Sequence, residues 1–269
     1  MPKVKVNGIT INYQDTGSGE PLVFISGLGA SQQLWYLQSL YFKDHYRVIT
    51  FDNRGVGESD KPETPYSMEM MAQDLLELLD KIGIYEPVNL VGASMGGLIA
   101  QSFIHANPRR VSKLVLCCTG ISLKDPRFTP AGQDVVEKIF TSADNREKYV
   151  DNLLSVMYHP NFVKNTPQLK TLLMNPEVEP QPAYAYMNQL NGCVNDNAYY
   201  EWLADIKVPT LILHGREDRV FPLQNALTLK EGLGNQAELC IIEKAAHVFF
   251  QEKFTEVNQK LQQFLQKQA

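Results

Sequence analysis

The chain has 269 residues, 44% of them hydrophobic, with 25 Lys and Arg against 30 Asp and Glu, a net charge of −5. That is enough chain for one large domain with a full core; at ~300 residues roughly 75% of the unfolded surface is hidden. No basic run marks a nucleic-acid surface, no stretch approaches the ~20 apolar residues of a membrane span, and the opening MPKVKVNGITINY alternates like a strand and lacks the apolar stretch of a secretion signal. Nucleic acid and membrane are therefore not expected as partners, and a cytoplasmic location is.

In chain order, Lys3–Val6 and Ile9–Thr16 read as strands around Asn7-Gly8, a dipeptide favoured in two-residue hairpins. Pro21–Ser26 and Arg47–Phe51 are continuous apolar runs of the kind found in fully buried strands. Met68, Met71, Ala72, Leu75, Leu76, Leu79 and Ile82 then recur at helical spacing up to Gly83. Val88–Ala93 is a strand, followed at once by a helix carrying Met95, Leu98, Ile99, Ser102, Phe103 and Ala106, and then by the apolar run Lys113–Thr119. Strands alternating with helices predict an α/β fold: a mostly parallel twisted sheet with helices on both faces, entered through an antiparallel hairpin. From about 121 to 200 the rhythm breaks. Seven of the fifteen prolines fall there, with Met157, Tyr158, Tyr184, Tyr186, Met187, Tyr199 and Tyr200. Short helices without strands are expected, an insertion 121–200 into a core made of 1–120 and 201–269. Thr210–Gly215 and Glu238–Glu243 restore the strands, and a closing helix places Phe250, Phe254, Val257, Leu261 and Leu265 on one stripe. Cys117, Cys118, Cys193 and Cys240 form no C-x-x-C pair and are expected as buried free thiols.

The corner Gly92-Ala93-Ser94-Met95-Gly96 carries the chemistry. A serine hydroxyl attacks only when a base removes its proton. A tight strand-to-helix turn lifts it above the sheet edge and aims the first helical N–H groups at a developing anion. Such a turn brings backbones together, so residues two before and two after the serine must be small; Gly92 and Gly96 are. This is the G-x-S-x-G elbow. The acid and base should follow in the order Asp or Glu, then His, past later strands. Asp218 lies just after Thr210–Gly215, and His247 just after Glu238–Glu243. Ser94 is thus the expected nucleophile, His247 the base, and Asp218 the residue that orients it; Glu217 is the less favoured acid. The N–H of Met95 and that of Leu28, in the loop Ile-Ser-Gly-Leu-Gly-Ala after the third strand, are expected to form the oxyanion hole. His45, His105, His159 and His214 are expected in structural roles, although His159 and His214 lie where they could touch substrate. No Gly-rich phosphate loop, metal-ligand cluster or dinucleotide fingerprint occurs, so neither cofactor nor metal is expected.

With the elbow, "FDNRGVGESDKP" from Phe51 to Pro62, "LHGREDRVFP" from Leu213 to Pro222 and "AAHVFF" from Ala245 to Phe250, the chain resembles the α/β-hydrolase fold superfamily over nearly its whole length. It is most similar in pattern to small carboxylesterases and enol-lactone hydrolases. One position departs: many relatives carry His-Gly where this chain has Ser26-Gly27. The resemblance implies that Asp52, Arg54, Gly55, Gly57 and Ser59 hold their own loop together, and that the insertion is a helical lid. Met157, Tyr158 and Met187 of that lid, with Trp35, Leu34 and Phe221, would then line an apolar pocket for a small-molecule acyl substrate. Serine at the elbow, rather than aspartate, argues against haloalkane dehalogenases and epoxide hydrolases. The expected reaction is hydrolysis of a carboxylic ester or lactone of small to medium size through an acyl-enzyme. A thioesterase or a carbon–carbon bond hydrolase would use the same triad, the latter with polar lid groups such as Asn188, Gln189 or Asn191. A reading of another class is a lidded small-molecule receptor with vestigial hydrolysis. Fold alone does not choose among these, and the oligomeric state is not legible.

Overall fold

A computed structural model describes residues 1–140, 146–175, 181–197 and 200–267. Tyr199 lies outside the described residues. The strands are β1 (Lys3–Val6), β2 (Ile9–Thr16), β3 (Pro21–Ile25), β4 (Arg47–Phe51), β5 (Val88–Ala93), β6 (Val111–Cys117), β7 (Thr210–Gly215) and β8 (Ala237–Ile242). They form one sheet in the order β1-β2-β4-β3-β5-β6-β7-β8. β1 and β2 pair antiparallel, as do β2 and β4; every later neighbour pair is parallel.

The helices are α1 (Tyr36–Phe42), α2 (Met68–Lys81), α3 (Met95–Ala106), α4 (Gln133–Phe140), α5 (Arg146–Met157), α6 (Pro160–Asn165), α7 (Gln168–Met174), α8 (Ala183–Val194), α9 (Tyr200–Leu203), α10 (Gln224–Leu233), α11 (Phe249–Glu252) and α12 (Phe254–Leu265). Helix α2 starts where Ser67 accepts a hydrogen bond from the Met70 N–H, a side-chain cap for an otherwise orphaned donor. Between β6 and β7 the described residues form helices and turns only. No helix among the described residues is long and apolar enough to cross a membrane.

The core has two halves, one on each sheet face. Val23, Ile25, Val88, Leu90, Leu114, Leu116 and Ile212 pack on one side with residues of α2, α3 and α10. Leu22, Phe24, Val91, Ala93, Val115, Leu211 and Leu213 pack on the other with Trp35, Phe42, Phe249, Phe250 and Leu261. The continuous apolar runs thus divide with period two, as strands covered on both faces must. Cys117, Cys118 and Cys193 are buried free thiols, while Cys240 is half-buried.

Two sequence expectations are adjusted. The sixth strand opens at Val111, two residues before the apolar run suggests. The closing helix is two helices: Lys253 leaves helical geometry at φ −123°, ψ 38°. The short first piece is drawn back toward the preceding loop, because the Glu252 carboxylate accepts the Ala246 N–H at 3.0 Å. Phe254, just past the break, faces outward and is exposed.

Candidate active site

Ser94 ends β5 and caps α3 with φ 55°, ψ −121°. A side-chain-bearing residue held there costs on the order of 1–3 kcal/mol and persists only when its surroundings over-determine it. Here they do. The Ser94 N–H donates to the Cys117 carbonyl at 2.9 Å, and its carbonyl accepts from the Gly97 N–H and the Thr119 hydroxyl, both at 2.8 Å. The flanking glycines are required by contact distance: a Cβ at Gly92 would lie 2.2 Å from the Gly96 carbonyl oxygen, and one at Gly96 would lie 2.3 Å from that of Ile25.

The loop after β3 lies directly over this corner; a Cβ at Gly27 would sit 3.1 Å from the Ser94 Cβ and 3.6 Å from its Oγ. Ser26, which stands where a histidine is common in the resembling family, is fully buried, and its hydroxyl closes the loop by donating to the Ser31 carbonyl at 3.1 Å. The Asn53 amide holds the Ser26 carbonyl from the other side at 3.0 Å. Among the described residues the Leu28 N–H has no acceptor, whereas the neighbouring Gly29 N–H donates to Gln189 Oε1 at 3.0 Å. Met95 opens α3, so its N–H has no intrahelical partner. Two backbone donors therefore stand unclaimed beside Ser94, at the positive end of a helix.

β5 and β8 are separated by two strands, ~14 Å at the usual spacing, so the loop carrying His247 must reach back across the sheet end. It does so over β7. The Glu217 N–H donates to the Ala245 carbonyl at 3.0 Å, and a Cβ at Gly215 would lie 2.1 Å from the Ala246 carbonyl oxygen. His247 Nδ1 then lies 2.9 Å from Asp218 Oδ2. The two groups are 4% and 5% exposed, so this pair works in a low-dielectric setting. The other Asp218 oxygen accepts from the N–H groups of Val220 and Phe221 at 2.9 and 3.0 Å. An acceptor at Oδ2 assigns the imidazole proton to Nδ1 and leaves Nε2 as the free base. The Phe221 ring stacks on the imidazole with centroids 6.1 Å apart. Glu217 is exposed, and its carboxylate accepts the Ala245 N–H at 2.9 Å. Neither His247 Nε2 nor Ser94 Oγ has a hydrogen-bond partner among the described residues.

His214, the last but one residue of β7, is wholly buried beneath the pair. Its Nε2 lies 2.7 Å from the Phe221 carbonyl oxygen and 3.4 Å from Asp218 Oδ2. Burial pushes its pKa down despite the Asp218 charge, so the ring is neutral and donates from Nε2. Cys118 also lies near Asp218 and Ser94, but burial, and next the Asp218 charge, hold its thiol well above its ordinary pKa; it is not a nucleophile.

The expected pocket residues divide. Phe221 lies against the imidazole, and the Met157 carbonyl accepts the Val248 N–H at 3.0 Å, next to His247. Tyr158 is buried, stacked on Phe162, with its hydroxyl donating to Gln251 at 2.8 Å. Trp35 does not line a site: it is 0% exposed, with ring centroids 4.9 Å from Phe24 and 4.6 Å from Phe250, in the core on one sheet face. Met187 does not either: it is 46% exposed. Ala185, Gln189, Gly192 and Cys193 form the buried stripe of α8, and a residue two positions along from Ala185 points the opposite way on a 3.6-residue period. Of the polar lid residues, Asn188 is taken up by the Glu63 and Thr64 carbonyls at 3.2 and 3.1 Å. The Asp52–Ser59 loop is structural in its contacts. Arg54 forms two 2.6 Å bonds to buried Asp74, and Asp52 accepts from the Gln32 N–H at 2.7 Å and the Glu58 N–H at 2.9 Å.

The sheet order agrees with comparison to known proteins. A family model described as alpha/beta hydrolase fold matches residues 20–172. An AB hydrolase superfamily protein of Bacillus subtilis is 32% identical over 95% of each chain. A 2-hydroxy-6-oxo-2,4-heptadienoate hydrolase of Pseudomonas putida is 30% identical, with 91% of this chain and 88% of the relative covered. The solved structure of a thermophilic esterase from Thermogutta terrifontis superposes with a TM-score of 0.85 over 98% of each chain at 24% identity, a likeness of fold. The chain belongs to the α/β-hydrolase fold family, whose members similar to it include hydrolases of more than one bond type.

Proposed function

We propose that the protein is a serine hydrolase that cleaves a carboxylic ester or lactone of a small to medium acyl substrate through an acyl-enzyme. The observation that carries this reading is the buried His247–Asp218 contact of 2.9 Å, combined with a serine held at positive φ under a loop with an unclaimed N–H. In this account His247 Nε2 takes the Ser94 proton as Oγ attacks the carbonyl carbon. Asp218 holds the proton on Nδ1 and stabilises the imidazolium. The Leu28 and Met95 N–H groups receive the oxyanion; loss of one such donor typically lowers turnover by ~10²–10³. The imidazolium then protonates the leaving alkoxide, and His247 activates a water that releases the acid. No step requires a cofactor.

The segment 121–200, whose described residues form helices and turns, is proposed as a lid. Its support is the seating of Gln181, Tyr186 and Gln189 against Gly29, next to the proposed oxyanion donor. A carbon–carbon substrate would need a polar lid group free to protonate a dienol, whereas the Gln189 amide is committed to backbone groups. Purified protein and its Ser94→Ala variant should be assayed in parallel on p-nitrophenyl butyrate and on a vinylogous 1,5-diketone. The proposal expects turnover of the ester by the wild type only. Equal ester turnover by both proteins overturns it, and turnover of the diketone alone moves the assignment to carbon–carbon bond hydrolysis.

A further inference from the structure

Gln189 lies on α8, 160 residues from the loop it touches, and is 0% exposed. A buried primary amide is unfavourable unless its atoms are hydrogen-bonded. Here the bonds run to the framework of the proposed site. Oε1 accepts the Gly29 N–H at 3.0 Å and the Gln181 amide at 3.0 Å, while Nε2 donates to the Arg54 carbonyl at 2.8 Å. The orientation of the amide is set by its partners, since Gly29 offers only a donor and the Arg54 carbonyl only accepts. Arg54 is itself fastened by two 2.6 Å bonds to buried Asp74, so the far end of the bridge is rigid. Gln181 adds a parallel strut, donating to the Gly55 carbonyl at 2.8 Å.

We propose that Gln189 is a positioning residue for the oxyanion loop. By engaging the Gly29 N–H it selects which of two successive amides remains free, and it holds the Leu28 N–H over Ser94. The helical segment thereby completes the site rather than only covering it. This inference rests on the hydrolase reading above, in which Leu28 supplies a donor to the oxyanion. Displacement of a reacting group by ~1 Å can lower a rate by ~10², and the Gly29 N–H is the part of this loop that Gln189 fixes.

The test uses the full chain with Gln189→Met, which keeps length and volume and removes all three bonds, and Gln189→Glu, which keeps the acceptor facing Gly29. Melting temperature and circular dichroism report folding. Kinetics on p-nitrophenyl butyrate separate kcat from KM, and inhibition by an aryl trifluoromethyl ketone reports the oxyanion, because its adduct with a serine carries that charge. In folded Gln189→Met we expect kcat to fall ~10²-fold with KM within threefold, the ketone to bind weaker by a similar factor, and Gln189→Glu to recover at least part of both. Unchanged kcat, a change confined to KM, or lost kcat with unchanged ketone affinity would overturn the proposal. Should Gln189→Met not fold, Gln181→Met decides: loss of its strut should lower kcat and ketone affinity together about five- to tenfold, and no change in either refutes the role. Wild-type ester turnover that survives Ser94→Ala would instead defeat the hydrolase reading, so the two failures are distinguishable.

Discussion

Replacing Asp218 by Asn tests the geometry of the proposed base in one atom. Asp218 Oδ1 accepts two backbone N–H groups at 2.9 and 3.0 Å, so an Asn side chain keeps its oxygen there and turns its NH₂ toward His247. That NH₂ would lie about where Oδ2 is now, 2.9 Å from Nδ1 and 3.4 Å from His214 Nε2. His214 cannot yield, since its Nε2 is tied to the Phe221 carbonyl at 2.7 Å. The His247 ring must then present a bare Nδ1 and carry its proton on Nε2, the atom proposed to take the Ser94 proton. A ring in that tautomer cannot accept the serine proton. The same exchange in a Ser-His-Asp protease lowers kcat by ~10⁴, equivalent to ~5.5 kcal/mol of barrier. Folding should suffer less, by ~1–2 kcal/mol, as one charge-assisted bond is lost and the other contacts stay. Steady-state kinetics on p-nitrophenyl butyrate, with urea unfolding of the same samples, separate the two effects. A loss of less than tenfold in kcat, with the variant folded, would refute the role given to Asp218.

Trp35 should behave as a core residue: Trp35→Ala should destabilise the fold by ~3–5 kcal/mol, while Trp35→Phe should leave KM for small esters within twofold, as measured by chemical denaturation and kinetics. A pocket role would raise KM in Trp35→Phe. Stability should also fall on acidification. Burial lowers the His214 pKa below its ordinary 6.5, so below about pH 6.5 the unfolded chain binds a proton that the folded chain refuses. Stability from this group is therefore complete above that pH and is lost as pH falls, at up to ~1.4 kcal/mol per pH unit. Urea titrations between pH 7 and 5 should show a shallower decline for His214→Gln, and identical slopes would contradict the argument.

Most of this fold is legible in one sequence because parallel strands buried on both faces must be continuous apolar runs, and β3, β4, β5 and β7 are such runs. The elbow is legible for a local reason: Gly92 and Gly96 are small because the backbone of the same turn and of β3 comes within 2.2–2.3 Å of where a Cβ would be. Asp218 and His247 follow once the strands before them are placed. What escapes is set by tertiary contact. Trp35 sits close to the oxyanion loop in sequence, yet its ring enters the core with Phe24 and Phe250. The Gln189 bridge to Gly29 spans 160 residues, and a glutamine between Asn188 and Asn191 in AYAYMNQLNGCV carries no local sign of it. Met187 fails for want of phase, because the inward stripe of α8 is only plain once Ala185, Gln189 and Cys193 are known to be buried.

The measurement that bears most directly on the central claim is intact-protein mass spectrometry after brief exposure to an alkyl fluorophosphonate, followed by peptide mapping. The account predicts one adduct per chain, on Ser94, formed quickly in the wild type, at least ~10³-fold more slowly in His247→Ala, and not at all in Ser94→Ala. Ester turnover by a protein that takes up no label at Ser94, or labelling that is indifferent to His247, would contradict it.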